Sequence, residues 1–139
     1  TEWEYDGHGN LLAHRLPDRT VVQTEYDEQH RPVAITDPEG GVWRQVWDTR
    51  GNLIERVTPS GCSSVFGYDA LGQLTQVADA ARRCTALDYD ANGYLANLTD
   101  ALGRVTHFTH DARGNLLHRE APGEGTTRYA WDKKDRLIL

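Results

Sequence analysis

The chain has 139 residues, 38% of them hydrophobic, and a formal net charge of −6 spread along its length. Lys and Arg are interleaved with Asp and Glu, so no basic stripe points to nucleic acid and no polybasic segment to a membrane surface. No apolar run approaches the roughly 18 residues of a membrane span, and no signal-peptide pattern is present.

Read from its start, the chain repeats an aromatic or His followed by Asp every 21 residues. The copies are Tyr5-Asp6, Tyr26-Asp27, Trp47-Asp48, Tyr68-Asp69, Tyr89-Asp90, His110-Asp111 and Trp131-Asp132. A fixed period of this length marks one small supersecondary unit stacked many times. The first copy opens on the turn Asp6-Gly7-His8-Gly9, and the same Asp-x-x-Gly pattern closes at Gly51, Gly72, Gly93 and Gly114. An Asp in first position offers its carboxylate to a backbone N–H two residues on. A Gly in fourth position suits the left-handed conformation that closes a type I turn into a bulged hairpin. His30 and Asp135 replace that Gly, and both are types that enter the left-handed region with tolerable strain.

After each first turn come apolar residues, Leu11-Leu12, Leu53-Ile54, Leu74, Leu95 and Leu116-Leu117, read as a strand with a bulge or one covered on both faces. A second turn follows, clearest in Asp37-Pro38-Glu39-Gly40, Thr58-Pro59-Ser60-Gly61 and Asp100-Ala101-Leu102-Gly103. Pro17 and Pro122 share the phase of Pro38 and Pro59. Pro32 alone is out of phase, which predicts a weak or locally broken strand there. The segment returning to each Asp alternates with period two, as in Val22-x-Thr24-x-Tyr26, Trp43-x-Gln45-x-Trp47, Thr106-x-Phe108-x-His110 and Thr127-x-Tyr129-x-Trp131. That is a strand with one packed face, its aromatics in rows across the sheet.

Two short strands per repeat give about 13 strands in a continuous antiparallel meander, a ribbon roughly 60 Å wide. A single layer of that width tends to curl or to pack on something. The expected fold is therefore all-β, a curved sheet of hairpin repeats forming part of a coil, ring or shell. Free edge strands make self-association of the isolated chain an expectation. A β-propeller with 42-residue blades is the nearest rival, but successive repeats show no even–odd difference.

Tyr68-Asp69-Ala70-Leu71-Gly72-Gln73-Leu74 and Tyr89-Asp90-Ala91-Asn92-Gly93-Tyr94-Leu95, each followed by a second turn, carry a resemblance. With their copies along the whole chain, they are similar to the YD repeats of Rhs proteins and related bacterial toxins, which animal teneurins share. The resemblance implies a spiralling β-strip that closes into a hollow cocoon around a C-terminal toxin domain. It implies delivery by type VI secretion, with spike proteins as possible partners, or within insecticidal toxin complexes. On it, residues 1–139 are about six and a half repeats of shell wall, and the family's self-cleaving segment has no counterpart. Asp37-Pro38-Glu39-Gly40-Gly41-Val42-Trp43 resembles the opening of that segment but reads as an ordinary second turn. The chain has no Met, begins at Thr1 and stops at Leu139 within a seventh repeat, so the expectation is a piece of a longer polypeptide without its own toxin domain. Its partners would be the remaining shell and the enclosed toxin, and its location outside the producing cell or in a target cell after cytoplasmic synthesis.

Other chemistries have little to stand on. The repeated Asp residues are spent on their turns, whereas calcium needs six to eight converging oxygens. Neither HxH nor HExxH spacing occurs, and His8 and His30 lie in turns, so no metal or cofactor is expected. Ser60, Ser63 and Ser64 have no His or Asp at motif spacing, and the glycines serve turns rather than a phosphate loop. Catalysis is not expected. Cys62 and Cys84 would lie about 10 Å apart across an intervening strand, beyond the ~7 Å reach of a disulfide. The alternative function is an aromatic-rich surface that binds cell-wall glycan or a partner protein.

Overall fold

The computed structural model describes residues 1–139 and contains thirteen β-strands and no helix. Strand order follows chain order from first to last, and successive strands pair antiparallel, as β1 does with β2 and β2 with β3. The fold is an all-β meander. It divides into two compact units, Thr1–Phe66 and Gly67–Leu139, with the boundary inside the seventh strand.

In the first unit the strands are β1 (Glu2–Tyr5), β2 (Leu11–Arg15), β3 (Val21–Tyr26), β4 (Pro32–Thr36), β5 (Val42–Trp47), β6 (Leu53–Val57) and the start of β7 (Ser63–Tyr68). Two kinds of ladder alternate. Across each first turn the pairing slips by one residue: Glu4 opposes Ala13 while Tyr5 opposes Leu11, leaving Leu12 extra. Val33 and Ile54 are extra in the same way. This is a β-bulge, and it resolves the ambiguity left by the apolar pairs. Neighbours on a strand face opposite sides, so the partners of Glu4 and Tyr5 must too. Leu11 and Ala13 therefore lie on opposite faces although two residues apart. Across each second turn the ladder is regular and short: Ala13 with Gln23, His14 with Val22 and Arg15 with Val21.

Pro32 does not break its strand. It is the first residue of β4, opposite Tyr26 beside the bulge, and β4 is as long as β2 and β6. The start of a strand and a bulge are places where a sheet tolerates a residue without an N–H.

In the second unit follow β8 (Leu74–Ala78), β9 (Cys84–Tyr89), β10 (Leu95–Thr99), β11 (Val105–His110), β12 (Leu116–Ala121) and β13 (Gly125–Arg128). The bulge recurs at Ala96 and Leu117. The strand expected to run into Trp131 ends at Arg128, and only an isolated bridge joins Trp131 to Leu137. The preceding turn differs as well. At Ala121-Pro122-Gly123-Glu124 the left-handed residue is Gly123 in third position, with the Glu124 N–H on the Ala121 carbonyl. That is a type II turn, selected by the Pro-Gly pair.

Alternation holds along the strands, with Gln23, Glu25, Arg44, Val46, His107 and Thr109 outward and their neighbours half-covered. The aromatics nevertheless form no core within this chain. The only buried hydrophobic residues are Ala34 and Ala121, while Trp3 and Tyr5 are 53% and 56% exposed. The physical reason is that a single layer of strands has no second layer to close over it.

The second turns place Gly103 at φ 78°, with nothing within 4 Å of an added Cβ, and Arg82 at φ 58° in the corresponding position. Gly103→Ala should therefore cost about 1 kcal/mol through conformation alone. Arg82→Gly should be neutral within about 0.5 kcal/mol, because relief of the strain is offset by the added freedom of the unfolded chain. Urea unfolding of both variants checks the asymmetry.

Candidate functional site

The repeated residues converge on the turn ends of the hairpins. Asp6 Oδ1 accepts the backbone N–H of His8 at 2.8 Å and of Asn10 at 2.9 Å, and Oδ2 accepts the Asn10 side-chain amide at 2.7 Å. Asp27 does the same with Gln29, Arg31 and the Arg31 guanidinium, and Asp48 with Arg50, Asn52 and the Asn52 amide. Asp69, Asp90, Asp111 and Asp132 each accept the N–H groups two and four residues on. Second-turn Asp37, Asp79 and Asp100 repeat the pattern. Left-handed residues close the first turns at Gly9, His30, Gly51, Gly72, Gly93, Gly114 and Asp135.

The residue four after each Asp was not singled out from the sequence, and it has a second task. Asn10 Nδ2 also meets His30 Nδ1 at 2.9 Å, and Asn115 Nδ2 meets Asp135 Oδ1 at 2.9 Å. Arg31 Nη1 donates to the Asp48 carbonyl, and Gln73 Nε2 to the Gly93 carbonyl. Each of these reaches the next first turn along the chain. Tyr94 does so with its ring: a Cβ on Gly114 would lie 2.7 Å from Tyr94 Cε1, and that ring is 5.4 Å from His110. Gly114 is thus required by both its φ of 88° and the aromatic laid over it. The available signal was the recurrence of Asn, Arg or Gln at that one phase.

The repeat aromatic looks the other way along the chain. Tyr26 Oη donates to the Leu11 carbonyl at 3.1 Å, Trp47 Nε1 to Pro32 at 2.8 Å, Tyr89 Oη to Leu74 at 2.8 Å and Trp131 Nε1 to Leu116 at 2.7 Å. The separation is always 15 residues. Each acceptor is the first residue of its strand and lies beyond the end of the short ladder, which between β2 and β3 stops at Ala13 and Gln23. Its carbonyl has lost a strand partner there, and the side chain supplies the missing donor. Tyr and Trp combine an apolar body with a polar tip, which this position uses in full.

Of the remaining chemistry-bearing residues, both cysteines are free. His8 and His30, 22 residues apart in sequence, are brought together with ring centroids 4.5 Å apart, beside Asp6.

The RHS repeat family model matches residues 5–42, 47–83 and 89–125, more than half of the chain. The chain belongs to the RHS repeat family. Solved structures with the same fold include a TcdB2-TccC3-Cdc42 crystal structure, with TM-score 0.74, 17% identity and coverage of 88% of this chain and 7% of that one. A Photorhabdus luminescens Tc holotoxin pore with mutated TccC3 gives TM-score 0.69, 18% identity and coverage of 88% and 7%. A TcdB2-TccC3 crystal structure gives 0.55, 16%, and coverage of 98% and 11%. The chain thus spans about a tenth of the length of these neighbours. No curated protein sequence matches it.

Two predictions follow from the turn ends of these RHS repeats. Tyr89→Phe removes one donor and leaves the Leu74 carbonyl without it, so it should cost about 1 kcal/mol in denaturant unfolding. Tyr5→Phe, with no residue fifteen positions before it in this chain, should change stability by less than about 0.5 kcal/mol.

The second concerns acid. The bonds from the Asn10 side chain and backbone hold the Asp6 carboxyl down at about 2, from an ordinary 3.8. Asp27, Asp79 and Asp132 are lowered chiefly by their Arg side chains, Asp111 by the Asn115 amide, and Asp48 and Asp100 by backbone N–H groups. In the window between folded and unfolded values the unfolded chain binds more protons, so stability rises with pH there. The Asp6 contribution should be complete above about pH 5 and lost as pH falls toward about 2, and the other lowered carboxyls act in the same direction. The thermal midpoint followed by circular dichroism should be flat above pH 5 and drop below pH 4. Asp48→Asn should make the drop shallower.

Proposed function

We propose that this chain is a stretch of the wall of a Rhs-type shell that encloses a toxin polypeptide and helps to deliver it. The observation that carries the reading is the use to which the repeated side chains are put. Asp, Arg, Gln, Tyr and Trp at the repeat positions bond backbone groups of their own or an adjoining repeat. A wall needs that: strength from neighbour to neighbour, carried by strands that pair with the next in line. The weak coverage of the aromatic face also fits a layer whose second side is closed by other parts of a larger polypeptide.

The partners of such a wall are the remainder of the shell and the toxin inside it. The likeness to a Tc holotoxin pore supports the toxin-complex branch of the delivery expectation over type VI secretion with its spike proteins. The glycan-binding alternative is weakened because Tyr26, Trp47, Tyr89 and Trp131 are half-buried and hold backbone carbonyls of their own sheet, a structural use of the ring.

The test is the size of the natural product, detected with an antibody against these repeats in the source cells. A polypeptide many times this length is expected, with a C-terminal segment resistant to protease until the repeats are unfolded. A stable product near 139 residues, together with tryptophan fluorescence that responds to cell-wall glycans, overturns the wall reading.

A further inference from the structure

We propose that the first two turns of the chain form a binding site for a late first-row divalent metal ion of the zinc class, with Asp6, His8 and His30 as its ligands. The 21-residue period stacks these turns side by side, which brings His30 of one beside Asp6 and His8 of the other. One ligand atom from each of the three lies within 4.8 Å of the others. In a tetrahedral zinc site with bonds of 2.0–2.2 Å, ligand atoms stand about 3.4 Å apart. Side-chain rotation has at most about 1.4 Å to close, and both imidazoles are exposed.

The chemistry of each group fits. His30 Nδ1 already faces a donor, the Asn10 amide at 2.9 Å, so in the neutral ring it is the unprotonated nitrogen. A cation takes the place of that donor. Asp6 is fixed by its two backbone N–H bonds and the Asn10 amide, which leaves about one of its roughly four acceptor sites open. Two imidazoles and one carboxylate suit zinc, nickel or copper, with water completing the shell. They do not suit calcium, which takes six to eight oxygens. Other first turns place Gln29, Arg50, Leu71, Asn92, Arg113 and Lys134 where this one has His8, so the site is peculiar to one pair of repeats.

Because the ligands meet only when the turns are stacked, the ion acts as a staple between successive repeats and stabilises the folded chain by mass action. The site is independent of what the wall encloses. The test is calorimetric titration of zinc chloride into the full chain carrying Cys62→Ser and Cys84→Ser, which removes competing thiolates. One saturable equivalent is expected, with a rise in thermal midpoint. Adding His8→Gln and His30→Asn should weaken association at least tenfold and abolish the rise, with an unchanged circular dichroism spectrum. Asn is chosen because it tolerates the φ of 61° at position 30. Absence of a saturable equivalent, retention of affinity in the His8→Gln, His30→Asn chain, or an equal stabilisation by calcium chloride overturns the proposal.

Discussion

Every hairpin in this chain ends where its backbone hydrogen-bond ladder runs out, and a protein cannot leave those groups unpartnered at little cost. The aromatic-Asp dipeptide answers that constraint from both sides. Asp takes the N–H groups that point into its own turn, as Asp48 does with those of Arg50 and Asn52. The adjacent aromatic turns away and gives its polar hydrogen to a carbonyl fifteen residues earlier, as Trp47 does with Pro32. One residue closes the local loop and the next fastens that loop to its predecessor. Two neighbouring residues therefore connect a hairpin to itself and to the stack.

This arrangement ties together a sheet that buries almost no side chain completely. Only two alanines are buried, so apolar burial cannot be the sole support. Repeats of this kind draw their free energy from intrinsic unit terms and nearest-neighbour interfaces. Asn10, Arg31, Gln73 and Asn115 reach forward to the next turn, while Tyr26, Trp47, Tyr89 and Trp131 reach back. The forward bonds use long polar side chains at the exposed turn ends, and the backward bonds use half-covered rings. Loss of one interface weakens its neighbours more than distant repeats.

The period, the two turns and the alternating strands were legible because each is written in side-chain identity: Asp, Gly and Pro at fixed phases, and apolar residues at every second position. The left-handed His30 and Asp135 could be read for the same reason. The acceptors could not. A backbone carbonyl is the same group at Leu11, Pro32, Leu74 and Leu116, so nothing in the letters marks it as the target of a ring fifteen residues away. The bulge is half visible: doubled apolar residues such as Leu53-Ile54 hint at it, but only the register of Val46 with Glu55 and Trp47 with Leu53 decides between a bulge and double coverage. Arg19 and Arg82 in the left-handed region are not legible in this way, because a long charged side chain gives no such signal. The meeting of His8 with His30 carries no mark in motif spacing, because it depends on adjacency between turns.

That last point shows how a monotonous scaffold can carry local differences. The recurring bonds fall on fixed phases, while the side chains of the two residues between Asp and the closing position vary from repeat to repeat. In one repeat they are Gly7 and His8, in another Ala112 and Arg113, and the second of these sends its guanidinium to the Lys133 carbonyl and Asp135. Stacking multiplies the effect, since His8 meets His30 and Arg113 meets Lys133 and Asp135 in the next first turn. Chemistry can therefore be introduced at a chosen turn without altering the strands beneath it. A sheet built this way is uniform in its backbone bonding and individual along its turn edge.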